Sequence, residues 1–171
     1  MGLFQTSLIT LRIPSTVTSI GDRAFNNIGI ALSTITVAEG NPRYAANGNC
    51  LIDLKTKTLL QGTRRTVIPN DGSVETIASY AFYGIDLREH PVITIPASVR
   101  TIQPYAYKGS YIRRMKFEEG IQTIGKDAFA QCNFEGTIQF PESLQSIHKT
   151  AFGTYAFDDP AMWDVVESYW K

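Results

Sequence analysis

The sequence predicts an α/β repeat solenoid, and three observations carry that prediction. First, one phrase recurs about every 23 residues: a short β-run, a proline or turn, then apolar-x-x-Ile-x-x-x-Ala-aromatic. It reads RIPSTVTSIGDRAF (12–25), VIPNDGSVETIASYAF (67–82), TIPASVRTIQPYAY (94–107), KFEEGIQTIGKDAF (116–129) and QFPESLQSIHKTAF (139–152). Second, four columns hold through all five copies, and a unit this short can bury its apolar face only against its neighbours. Third, 43% of the 171 residues are hydrophobic, enough to fill a continuous core.

Within each copy the columns specify what is buried. The aromatic position holds Phe25, Phe82, Tyr107, Phe129 and Phe152, each preceded by alanine. Five residues earlier stands Ile20, Ile77, Ile102, Ile124 or Ile147. Layered copies turn these columns into ladders along one shared interior, and the alanine marks close approach of successive layers. The β-runs alternate with period two, so Leu11/Ile13, Ile93/Ile95, Met115/Phe117 and Ile138/Phe140 face the core. Pro14, Pro69, Pro96 and Pro141 end four of the runs, because proline cannot donate to a ladder. Stacked, the runs predict a narrow parallel sheet. The segment leading to Ala-aromatic suits a single helical or 3₁₀ turn.

The step from Phe25 to Phe82 is 57 residues, more than one ordinary unit. Leu32, Ile35 and Val37 supply one further β-run. After it, turn-rich EGNPRYAANGNC and then CLIDL and TLLQG predict a β-hairpin inserted at about 38–65. The repeats fill 1–157. The tail, 158–171, carries Met162, Val165, Val166, Tyr169 and Trp170 at helical spacing, which predicts an amphipathic helix capping the open core. Repeat-like sequence follows Met1-Gly2 at once with no comparable N-terminal cap, which points to a truncated start and upstream repeats. No signal peptide is recognisable at that end.

Several function classes lose support. Sixteen basic and sixteen acidic residues cancel, so charge gives no reason to expect nucleic acid or an anionic membrane. No apolar run reaches the roughly 20 residues of a membrane span. HExxH, CxxC, GxxxxGK[ST], GxSxG and EF-hand spacings are all missing. The two histidines, His90 and His148, read as loop residues. Cys50 and Cys132 lie in non-adjacent units and read as buried thiols rather than a disulfide. No enzyme, metal or cofactor is expected.

The repeat resembles the BspA-like leucine-rich repeat in IPSTVTSIGDRAF (13–25) and EGIQTIGKDAFAQC (119–132), with cysteine three past the aromatic. VAEGNPRYAANGNCLIDLKTKTLLQG (37–62) is similar to a segment recurrent in that family. The resemblance covers about 8–157. Tyr107 for Phe, Gln103 and His148 for Gly, and Pro104 inside a unit are departures. It implies a leucine-rich-repeat right-handed superhelix, found in surface or secreted proteins of host-associated bacteria and some protozoa, with adhesion and protein binding as usual roles. No catalytic residues come with it.

On the solvent side of the β-runs lie Arg12, Thr36, Arg65, Thr94, Arg114, Lys116 and Gln139, with Arg64 and Arg113 close by to add charge. This Thr-rich face with basic points is the candidate binding surface for an acidic protein or glycan, host-derived partners included. The same residues also suit a plain solvated β-face, and the chain then reads as a structural spacer within a larger cell-surface protein.

Overall fold

The structure, a computed structural model, describes residues 9–21, 23–25, 31–154, 156, 157 and 159–170. Two sets of strands run through the layers. The first follows the Ile-Pro phrases: β1 (Thr10–Ile13) pairs in parallel with β2 (Thr34–Val37). Further along, β7 (Ile93–Ile95) pairs with β9 (Met115–Phe117). The second set is a sheet of seven strands. It runs in the order β11 (Ser146–Ile147), β10 (Thr123–Ile124), β8 (Thr101–Ile102), β6 (Thr76–Ile77), β5 (Thr58–Gln61), β4 (Cys50–Asp53) and β3 (Tyr44–Asn47).

This second ladder differs from the expected single narrow sheet. The Thr-Ile pairs of the columns form two-residue parallel strands, which put Ile77 beside Ile102, Ile102 beside Ile124 and Ile124 beside Ile147. The aromatic column stacks as well. Ring centroids of Phe82 and Tyr107 lie 4.6 Å apart, Tyr107 and Phe129 5.1 Å, and Phe129 and Phe152 5.1 Å.

Between isoleucine and aromatic the chain makes a β-turn rather than a helical turn. The alanine N–H donates to the carbonyl three residues back, at 3.2 Å in Ala81→Ala78 and 3.3 Å in Ala106→Gln103. In four of the five copies the third turn residue has positive φ: Arg23 59°, Tyr80 64°, Tyr105 65° and Asp127 52°. A type II turn needs such a third residue and favours proline second, which accommodates Pro104. The alanine column is closed at its centre, where Ala81, Ala106, Ala128 and Ala151 are buried.

The insertion is a three-stranded meander rather than a hairpin, and it belongs to the ladder. β3, β4 and β5 pair antiparallel in sequence, and β5 then pairs in parallel with β6, Leu59 beside Ile77. The 57-residue step therefore holds a unit whose first strand is β2 and whose second is β5, with the meander between them.

That meander interrupts both ladders. Its β3–β4 turn, Gly48-Asn49, reaches between Ser33/Ile35 and Thr63–Val67. The Val67 N–H donates to the Gly48 carbonyl at 2.9 Å, and a Cβ on Gly48 would meet the Val67 oxygen at 1.9 Å. Asn49 Oδ1 accepts the Ile35 N–H (3.1 Å), its Nδ2 donates to the Ser33 carbonyl (2.6 Å), and its carbonyl accepts from Thr66 Oγ1 (2.8 Å). In the second ladder, β4 occupies the place beside β5 that the first unit would have taken.

Consequently the interior is divided, not one unbroken file. The larger cluster runs from Cys50, Ile52 and Leu59 to Met162 and Val166. A smaller one gathers Ile13, Leu32, Ile35, Tyr44 and Leu51, with half-buried Ile20 and Phe25 against it. Ile20 and Phe25 thus leave the ladder expected of them. Side-chain alternation explains the division: Cys50, Ile52 and Leu59 point to one cluster, Leu51 and Leu60 to the other. All four residues of β4 are buried, as a strand covered on both faces must be.

At the far end α1 (Ala161–Glu167) lays Met162 and Val166 on the core. It is the only α-helix among the described residues, so strands and turns dominate where an α/β alternation was expected. Trp163 meets Phe157 edge-on at 5.3 Å, Tyr169 meets Phe140 at 5.9 Å, and the Ile147 N–H donates to the Tyr169 carbonyl at 2.9 Å. Cys50 and Cys132 are buried and unbridged. Burial pushes both thiols up to about 12.

Candidate functional site

The exposed side of the first ladder is assembled from three stretches. In β7 and β9, Ile93, Ile95, Met115 and Phe117 are buried, so Thr94 and Lys116 point outward on register partners. In β1 and β2, Arg12 and Thr36 are likewise exposed partners. Between these pairs the meander turn displaces the ladder. Arg65 is exposed there in a turn, its N–H donating to Thr63 Oγ1 at 3.1 Å. Arg114 is exposed just before β9, and its carbonyl accepts the Ile93 N–H at 2.9 Å. Gln139 is exposed beside buried Ile138, in a stretch without strand pairing.

Charge on this face is uneven. Lys116 Nζ stands 3.8 Å from Glu118, and Arg113 Nε 3.7 Å from Glu135. Among the described residues Arg12, Arg65 and Arg114 form no ion pair. Arg64 does not join them: it is half-buried, its Nε is enclosed without a hydrogen-bond partner, and its carbonyl meets His90 Nε2 at 3.0 Å. At the break in the ladder, Val67 (65% exposed) and Val92 (39% exposed) rim a shallow groove of about 100 Å³. His148 also has a local role, its Nδ1 accepting the Thr150 N–H at 3.2 Å.

A larger concavity lies on another flank, at the turns of the second ladder. This open cleft of about 570 Å³ is lined by Ile20, Gly21 and Arg23–Phe25 on one wall, Leu60 and Gln61 on its floor, and Ala78–Tyr80 and Gln103–Tyr105 opposite. Tyr80 and Tyr105 stack at 5.2 Å, with the Arg23 guanidinium 5.1 Å from the Tyr80 ring and Lys108 Nζ 5.3 Å from that of Tyr105. The sequence places these tyrosines beside the conserved columns without marking them as a site; a repeated aromatic two places before Ala-aromatic's ring was the available signal.

The model of the BspA type leucine rich repeat region matches residues 2–47 and 62–161, in six copies. The chain belongs to this family. It is a leucine-rich-repeat β-solenoid of about six turns. No curated protein matches it significantly. Among solved structures, this BspA-type chain is similar to the pneumococcal vaccine antigen PcpA, at 14% identity and a TM-score of 0.57, over 95% of this chain and 54% of that one. It is also similar to a leucine rich cell surface protein from Faecalibacterium prausnitzii A2-165, at 23% identity and a TM-score of 0.52, over 87% of this chain and 40% of that one. At these identities the likeness is one of fold, and the chain spans about half the length of these structures or less. No helix among its described residues is long and apolar enough to cross a membrane.

Proposed function

We propose that this chain is a non-enzymatic binding module of a surface or secreted bacterial protein. Its partner, a protein or glycan of host origin, engages the outer face of the first ladder. The observation that carries the reading is that Arg12, Thr36, Thr94 and Lys116 are solvent-exposed on strands of the first ladder, while Arg65, Arg114 and Gln139 are exposed in the turns and extended stretches beside it. A right-handed superhelical path would extend that face and let one partner touch several layers. The names of the pneumococcal antigen and the cell-surface protein support a surface location. Contact is expected to centre on Arg114 and Lys116, with Thr94 beside Lys116 in register.

The test is an array of extracellular-matrix proteins and host glycans probed with the wild-type chain and with the double variant Arg114→Glu, Lys116→Glu. A ligand captured by wild type and lost by the variant, with unchanged circular dichroism, is the expected result. Equal capture by both would remove the face from the binding role. No capture at all would favour a spacer.

A further inference from the structure

The cleft beside Tyr80 and Tyr105 exists because one layer of the solenoid is two residues short. In ordinary layers the aromatic whose N–H bonds to the next layer's alanine carbonyl stands five positions after the ladder isoleucine, as in Ile77 to Phe82 and Ile102 to Tyr107. In the layer of β5, Gly62 stands only three positions after Leu59, and its N–H makes the equivalent bond to the Ala81 carbonyl at 2.8 Å. Gly62 is needed there, since a Cβ would lie 2.1 Å from the Phe82 ring. The missing residues are those that elsewhere form the outward turn. The cleft is therefore the space of an absent turn, floored by Leu60 and Gln61 and faced by the turn of the first unit.

At one step of the column, adjacent turns join through a backbone hydrogen bond. The Tyr105 N–H donates to the Lys126 carbonyl of the next layer at 2.9 Å. Both tyrosine rings are covered, by each other and by Arg23 and Lys108, so their faces offer no platform to a sugar. Among the described residues Arg23 is the only charged one of the lining, and it has no carboxylate partner among them. Elsewhere in the same turn column, Asp127 lies 3.8 Å from Lys108 of the preceding layer and accepts from Thr150 Oγ1 of the following one.

We infer that the cleft binds a short extended segment of a partner protein bearing an acidic side chain. The segment's backbone takes the place of the absent turn, and its carboxylate meets Arg23. Backbone pairing to an incomplete layer supplies affinity, and the single cation supplies selection. The site lies on a different flank from the first-ladder face and does not depend on it. A cleft of about 570 Å³ is within the usual size of ligand pockets.

The probe is a phage-displayed library of random linear octapeptides, selected on the wild-type chain. Selected sequences are then synthesised and titrated by two-dimensional NMR. Enriched Asp or Glu, shifts of the Ser79, Tyr80 and Tyr105 amides, and roughly tenfold weaker binding by Arg23→Glu are expected, as for loss of a charge-assisted hydrogen bond. Gln103→Glu is a second variant. It keeps the acceptor that the Ser79 N–H uses at 3.0 Å and adds a repelling carboxylate, so it should weaken the same peptides. Affinity should fall with added salt. Arg114→Glu with Lys116→Glu should leave these peptides unaffected, which separates this site from the face proposed above. Peptides selected without an acidic residue, binding undiminished in both cleft variants, or acidic oligosaccharides shifting the same amides where no peptide does, would overturn the inference.

Discussion

At position 107 the aromatic column carries an oxygen it cannot use. Tyr107 is fully buried, its ring stacked on Phe82 at 2° and on Phe129 at 17°. Its hydroxyl has no hydrogen-bond partner, and burial holds its pKa well above the ordinary phenol value. The neighbouring layers fill this column with phenylalanine. Tyr107→Phe keeps the stack and removes an unsatisfied polar group, so it should stabilise the chain by about 1 kcal/mol. A urea unfolding curve checks this; a lowered midpoint would mean the hydroxyl is satisfied. The buried columns were legible in the sequence because they repeat in both identity and spacing. The left-handed turn residues were not. Arg23, Tyr80, Tyr105 and Asp127 share a backbone conformation but no side-chain chemistry that signals positive φ. The tyrosines of the cleft sit at these positions and were hidden with them.

Among the elements, the meander departs most from expectation. TLLQG alternates like any hairpin strand. Its parallel partnership with β6 follows from Leu59 filling the isoleucine column, a placement that no local pattern announces. Strands of two residues, such as Thr76–Ile77, are likewise too short for alternation to reveal. The meander is held in the break of the first ladder chiefly by Asn49, whose φ of 62° is one that asparagine tolerates. Asn49→Ala would leave the Ile35 N–H and Ser33 carbonyl unpaired and set alanine in a left-handed turn. The expected loss is about 2–3 kcal/mol. Asn47→Ala, which removes only an exposed 2.9 Å bond to Asp71, should cost well under 1 kcal/mol. Comparable thermal shifts for the two variants would show that Asn49 does not seal the break.

For the whole molecule, the divided interior sets how it comes apart. A solenoid is stabilised by nearest-neighbour layers, so a wall between two clusters is a natural place for separate opening. Of the four carboxylates with lowered pKa values among the described residues, Asp53, Asp71 and Glu75 bond to residues in or beside the meander; the fourth, Asp86, is held down by Arg88 on the side of the larger cluster. Burial alone would raise Asp53, but hydrogen bonds from Arg43, 2.9 Å away, and from the Thr56 and Lys55 N–H groups bring it below the usual carboxylate range. Ser73 lowers Asp71, and Lys57 lowers Glu75. A carboxylate lowered in the folded state contributes stability that is present above its unfolded pKa, near 4, and is lost as pH falls through the folded value. Asp53 and Arg43 tie β4 to the lead into β3, against the smaller cluster. Acid should therefore loosen Ile13, Ile35 and Leu51 before it loosens Ile102, Ile124 and Ile147. Methyl NMR across a titration from pH 6 to about pH 2 reads both groups at once. Two separated transitions are expected, the first brought to higher pH by Asp53→Asn. A single coincident transition would mean that β4 couples the clusters too tightly for either to open alone.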